Sequence, residues 1–187
     1  MSIILASASP RRKELMTLIT PQFTVETAAV DESAISAPDP AALVRALAYA
    51  KCMAVAKNHP DDIVIGCDTV VDCGGQVFGK PADAADACRM LQALSGRTHA
   101  VHTGVCMAKG ERVATFSDTC KVSFFSIRPE DLQAYIATDE PYDKAGAYAI
   151  QGHAALWIDR LEGDYYTIMG FPVSRAAHLL EEFNNLL

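Results

Sequence analysis

The sequence predicts a soluble protein of mixed α and β architecture built on one sheet, and three observations carry that prediction. Short apolar runs rich in β-branched residues, SIILA at 2–6 and IVIGC at 63–67, read as buried strands. Stretches with helical spacing stand between such runs, and several open on a proline. Half of the 187 residues are hydrophobic and 21% are charged, a composition that supplies one sizeable core and gives disorder no support.

In chain order, SIILA is followed by the punctuation SASP and an amphipathic helix. Ser9 is placed as its N-cap and Pro10 at its first position, with Leu15, Leu18 and Ile19 on one face. Residues 23–30 read as a second strand, ahead of an acidic turn at Asp31-Glu32 and a loop of Ser, Ala and Pro. A long helix is expected from Pro40 to about Lys57, capped by Asp39. IVIGC has the pattern of a central strand ending on Asp68-Thr69, and VVDCGGQVF reads as a hairpin around Gly74-Gly75. Pro81 is expected to open a helix to Leu94, closed by Gly96 in the left-handed conformation. Residues 98–108 and 112–127 form an expected antiparallel pair turning at Lys109-Gly110. A short helix after Pro129, the polar segment DEPYDKAGAYAIQG, two strands at 154–160 and 165–169, and a helix from Pro172 complete the chain. With no repeat and no linker, a single domain over 1–187 is expected, any second lobe being an excursion from the one sheet.

The charge narrows the function classes. Lys plus Arg total 16 against 23 Asp plus Glu, a net −7, so no general attraction to a nucleic-acid polymer is expected. A small anionic ligand stays open, because a local cation cluster can dominate one site. No apolar run approaches the roughly 20 residues that span a bilayer, so no membrane partner is expected. The basic pair Arg11-Arg12 follows the N-terminal apolar run, the reverse of a secretory signal, and a cytoplasmic location is expected. The six cysteines contain no Cys-x-x-Cys pair and read as reduced core thiols.

Three places carry candidate chemistry. LASASPRR gathers Ser7, Ser9, Arg11, Arg12 and a helix N-terminus, where unpaired N–H groups, hydroxyls and guanidinium forks suit an anion. A capped helix with two solvated arginines is the plainer reading, although positive charge in a first turn opposes the helix dipole. Lys51 falls inside the apolar arc of its helix with Leu43, Leu47 and Ala54, as a snorkelling core-edge lysine or as a cation with a task. Asp68 at a strand end is either an Asx-type turn residue or a carboxylate that holds a metal or takes a proton from water. Glu32 in VDES is a candidate second oxygen ligand or a solvated loop acid.

Other motifs fail on their chemistry. GGQVFGK has the spacing of a phosphate-binding loop, but Pro81 stands where Ser or Thr must ligate magnesium. Cys106 and Arg112 have the spacing of a cysteine phosphatase loop, but a hairpin turn and Glu111 interrupt it. His99 and His102, three apart in a strand, face opposite sides and form no joint zinc site.

Several separated pieces, taken together and in order, resemble the Maf family of nucleoside triphosphate pyrophosphatases. They are LASASPRRKELM at 5–16, VDES at 30–33, ALAYAK at 46–51, IGCDTVV at 65–71, GKP at 79–81, ML..LSG.TH.V.TG at 90–104 and DEPYDKAGAYAIQG at 139–152. The resemblance implies an α/β fold with a long twisted mixed sheet, flanking helices and two lobes around a central cleft. It also implies cleavage of a nucleoside triphosphate between the α and β phosphates with a divalent cation, Mg²⁺ or Mn²⁺. Asp68 then matches the catalytic base, Ser7, Arg11 and Arg12 the N-terminal phosphate-binding motif, Lys51 and Lys80 the cleft lysines, and Glu32 the acid near the metal. Whether Asp68 serves as base or as metal ligand stays open. KAGAYAIQG resembles the branch acting on dTTP and UTP rather than on 7-methyl-GTP, and Arg12, Thr69 and Gln151 match positions linked to base choice. A carboxamide such as Gln151 can donate and accept, as the edge shared by thymine and uracil requires. A non-catalytic nucleotide-binding regulator of cell division is the alternative from another class, and a homodimer is left open.

Overall fold

A computed structural model describes residues 2–184 of the chain. Seven strands and six α-helices are formed among them: β1 (Ile3–Ala6), α1 (Pro10–Thr17), β2 (Thr24–Val25), α2 (Pro40–Ala56), β3 (Ile63–Cys73), β4 (Gln76–Phe78), α3 (Ala84–Leu94), β5 (Thr98–Lys109), β6 (Arg112–Phe124), α4 (Pro129–Ile136), β7 (Ile158–Glu162), α5 (Tyr165–Met169) and α6 (Val173–Asn184). The strands form one mixed sheet in the order β2-β1-β3-β5-β6-β7, with β4 paired to β3 off that path. β1 runs parallel to β2 and β3, whereas β4 and β7 pair antiparallel.

The chain divides into two compact units. The first comprises residues 1–68, 103–118 and 169–187, and the second residues 69–102 and 119–168. β3, β5 and β6 each pass from one unit to the other, so both units are assembled from distant parts of the sequence. In the first unit α2 lies on the sheet, where Ala48, Cys52 and Val55 pack with Ile4, Ala6, Val64, Cys106 and Ala108. In the second, α3 and α4 pack with Val71, Phe78, Val101, Val122, Phe124, Tyr148 and Trp157. No disulfide links the six cysteines, five of which are buried.

Local signals set the helix ends. The side chains of Ser9 and Asp39 accept from Arg12 N–H and Ala42 N–H, capping α1 and α2 ahead of Pro10 and Pro40. Gly74 and Gly75, at φ 62° and 85°, make the two-residue turn joining β3 to β4. Gly96, at φ 67°, follows α3 as expected.

Several expected boundaries shift, each for a visible reason. α1 stops at Thr17, whose hydroxyl donates to Glu14 O, so Leu18 is 61% exposed and the buried residues are Leu15 and Met16. The strand expected over 23–30 shrinks to Thr24–Val25, an exposed edge paired only with β1. α3 begins at Ala84 rather than Pro81, because Asp83 caps Asp86 N–H while the Asp86 carboxylate accepts from Ala82 N–H ahead of the cap. β6 ends at Phe124. Residues 153–157 form a 3-10 turn, and β7 starts only at Ile158. Residues 165–169 are helical, because the Asp164 carboxylate accepts from the N–H groups of Tyr166 and Thr167 and from the Thr167 hydroxyl. Finally, β3 does not end at Cys67 but continues through Asp68 to Cys73, buried along most of its length.

Candidate active site

Asp68 reaches its setting through the alternation of β3. Val64, Gly66 and Asp68 share the face covered by α2, while Thr69 points to the other face. Gly66 lets the helix come close: a Cβ there would stand 2.5 Å from Ala48 O and 2.6 Å from Cys52 N. The close approach carries Lys51, one residue before Cys52, to Asp68. Lys51 Nζ donates to Asp68 Oδ1 at 2.5 Å and lies 2.9 Å from Glu32 Oε1. Asp68 is buried and the lysine side chain is 21% exposed, whereas Glu32 is more than half exposed. The lysine on the apolar arc is therefore the cation of a buried carboxylate.

Glu32 is delivered by a 3-10 turn at Glu32–Ala34. Asp31 caps that turn, accepting from both N–H and hydroxyl of Ser33. The Ser33 hydroxyl and N–H bonds hold the Asp31 carboxyl below its usual range.

The second cluster forms at the start of α1. Ser7 Oγ accepts from Ser9 N–H at 3.3 Å and from Arg12 at 3.2 Å, which orients its own O–H as a donor. Arg12 also donates through Nε to Gly170 O and, through the Nη1 that serves Ser7, to Cys67 O, both at 2.9 Å. The guanidinium thus ties the helix start to the residue preceding Asp68 and to the turn at Gly170, whose φ is 98°. Arg11 sits half-buried in the first helical turn. Two sequence-level neighbours, one a phosphate-type hydroxyl and one a cation, are brought together; the use of Arg12 as a brace had no sequence signal, because its acceptors are backbone carbonyls.

Lys80 and Gln151 belong to the second unit and are exposed. Lys80 follows Gly79, whose carbonyl accepts from Gly146 N–H at 3.0 Å, so the KAGA segment holds the GKP loop. Gly146 and Ala147 are both left-handed, at φ 70° and 61°, an unusual setting for a buried alanine. Thr69 follows Asp68 as the first residue of this unit, half-buried in β3.

Gln76–Phe78 of GGQVFGK is strand β4. Cys106 is buried, and its hydrogen bond with Cys52 together with burial pushes its thiol well up, the opposite of a nucleophile. Burial likewise raises the Cys67 thiol to about 12, against the opposing pull of Arg12.

The donor chemistry fits a divalent cation. Asp68 and Glu32 supply the hard oxygens that Mg²⁺ or Mn²⁺ prefer, and each has one oxygen on Lys51 Nζ, with which an ion would compete. Among the described residues no group of three or more His, Cys, Asp or Glu is arranged to hold an ion, so two carboxylates would need phosphate oxygens to complete a shell.

The fold and this cluster define a class: an α/β protein presenting hydroxyl, cation and paired carboxylates suited to a phosphorylated ligand. Residues 2–183 match the family model described as Maf-like protein, and the chain belongs to the Maf family. A Bacillus cytotoxicus relative named dTTP/UTP pyrophosphatase is 45% identical over 182 residues, covering 97% of this chain and 95% of that protein. A Bacillus anthracis relative of the same name is 43% identical with the same coverage. Among solved structures, the Staphylococcus aureus Ham1 protein aligns with a TM-score of 0.55 and 14% identity, covering 97% of this chain and 99% of its own. A HAM1 protein from Coxiella burnetii gives 0.52 and 12%, covering 96% and 98%. These two share the fold.

Proposed function

We propose that this protein is a nucleoside triphosphate pyrophosphatase that hydrolyses dTTP and UTP to the monophosphate and pyrophosphate. The observation that carries the reading is the convergence of Asp68, Lys51 and Glu32, in a family whose relatives bear that name. Ser7 and Arg11 bind phosphate oxygens at the start of α1, where the helix dipole favours negative charge. Arg12 braces that cluster against Cys67 and Gly170. Lys51 orients the Asp68 carboxylate, and Asp68 takes the proton of the attacking water, which leaves the water as a better nucleophile toward the α phosphorus. The bond to the bridging oxygen breaks, and pyrophosphate departs with its charge countered by the cations. Asp68 and Glu32 would hold a Mg²⁺ or Mn²⁺ ion, and the chemistry it would supply there is Lewis-acid polarisation of the phosphate oxygens. Lys80 is assigned to the triphosphate, and Thr69, Arg12 and Gln151 to base choice.

No helix among the described residues is long and apolar enough to cross a membrane. The test is pyrophosphate release from dTTP, UTP, dCTP, ATP and 7-methyl-GTP with Mg²⁺ or Mn²⁺. Preference for dTTP and UTP upholds the proposal. Preference for 7-methyl-GTP assigns the other branch, and nucleotide binding without turnover assigns a regulator. Sedimentation of the same preparation decides between monomer and homodimer.

A further inference from the structure

Residues 149–153 form a short arch with Gln151 exposed at its centre, and both of its feet lead to one carboxylate. At one foot, Ala149 N–H donates to the Tyr135 hydroxyl at 3.3 Å, and that hydroxyl donates to Glu140 Oε1 at 3.0 Å. At the other, the N–H of His153 donates to Glu140 Oε2 at 3.2 Å and its Nδ1 lies 3.0 Å from the same oxygen. The carboxylate also fills the space beside Gly152 that a Cβ would need, so the arch rests directly on it. Gly152 has φ −103°, which any residue adopts, so contact with Glu140 rather than backbone freedom calls for glycine there.

We propose that Glu140 is a positioning residue that pins both feet of the 149–153 arch and thereby holds Gln151 for base selection. Its use in selection rests on the reading of Gln151 given above; the pinning itself does not. Burial by itself would raise the Glu140 carboxyl, but the hydrogen bonds from His153 and Tyr135 outweigh it and hold the group below its usual range. The Glu140 side chain is 17% exposed and its bond from Tyr135 is partly buried, whereas the bonds from His153 lie on the exposed side.

The experiment compares Glu140→Ala, Glu140→Gln, Gly152→Ala, Gln151→Ala and the double variant E140A/Q151A. Two quantities are read: the ratio of kcat/KM for dTTP to that for dCTP, and hydrogen exchange at the Ala149 and His153 amides. Glu140→Ala should lower the ratio about tenfold, in the same direction as Gln151→Ala, and the double variant should lose no more than Gln151→Ala alone. Exchange at both amides should rise in Glu140→Ala and stay low in Gln151→Ala. Glu140→Gln, which keeps one of the two acceptor oxygens and so one foot, should lower the ratio by less than Glu140→Ala and raise exchange at one of the two amides, and Gly152→Ala should mimic Glu140→Ala by displacing the carboxylate. A ratio that falls in Gln151→Ala but holds in Glu140→Ala overturns the proposal while the Gln151 reading stands. A ratio unmoved by Gln151→Ala ends that reading, and the exchange data then decide the pinning: amides still protected in Glu140→Ala overturn it. If Glu140→Ala does not fold, Glu140→Gln and Gly152→Ala carry the same comparison.

Discussion

Replacing Asp68 by Asn separates chemistry from folding. The swap keeps the shape of a residue that is 7% exposed and leaves an amide oxygen where Oδ1 meets Lys51 Nζ. Lys51 keeps Glu32, 2.9 Å away, so no cation is left buried alone. What is lost is the difference between a hydrogen bond with two charged partners and one with a single charged partner, about 1 kcal/mol. For a chain of this size that corresponds to a fall in Tm of about 2–4 °C. Loss of a general base costs roughly 10² to 10⁴ in rate, or about 3–5 kcal/mol of barrier. The kinetic effect should therefore exceed the stability effect severalfold. The assay pairs pyrophosphate release from dTTP with a thermal melt of the same sample. A variant retaining more than about a tenth of wild-type kcat refutes the base assignment. If the activity returns as Mn²⁺ is raised, Asp68 serves as a metal ligand; if it returns only as pH is raised, hydroxide is replacing a lost base.

Arg12→Lys should cost about 1–2 kcal/mol of stability, more than a surface cation, because one ammonium cannot serve Ser7 Oγ, Cys67 O and Gly170 O together; urea midpoints check it. Gly66→Ala should destabilise by about 1–3 kcal/mol and also lower kcat, since the new methyl pushes α2, and Lys51 with it, away from β3. An unchanged kcat would separate helix position from activity. Burial lowers the His99 imidazole from 6.5 to about 4; among the described residues its Nδ1 has no hydrogen-bond partner, and its Nε2 lies 2.9 Å from Tyr148 Oη. The folded state thus favours neutral histidine: its contribution is fully present above pH 6.5 and is lost as pH falls toward 4, a change on the order of 3 kcal/mol. His99→Phe should flatten the dependence of the urea midpoint on pH between 7 and 4; parallel curves for the two proteins would contradict this.

Much of the fold was legible because its signals are local. Ser9-Pro10 and Asp39-Pro40 cap helices through bonds that span three residues, and the paired glycines at 74 and 75 turn a hairpin by their own backbone freedom. The failures have two origins. The β-prone FTVETAAV at 23–30 had no second neighbour strand to bury it, and YYTIM at 165–169 yielded to the cap offered by Asp164.

The residues of the candidate site were visible as oddities: a lysine on an apolar arc, an aspartate inside an apolar run, two arginines in a first helical turn. Taken singly each had a plain structural reading, and the family was marked only by the resemblance of seven separated motifs in order. Which of them meet was decided only by tertiary structure. Lys51 finds Asp68 because glycine at 66 lets α2 lie close on β3, and Glu32 joins them because Asp31 sets its turn. Arg12 is committed to the carbonyls of Cys67 and Gly170, and a backbone carbonyl is the same at every position of a sequence. Packing brings such acceptors within reach, and packing depends on the whole sheet rather than on any one segment.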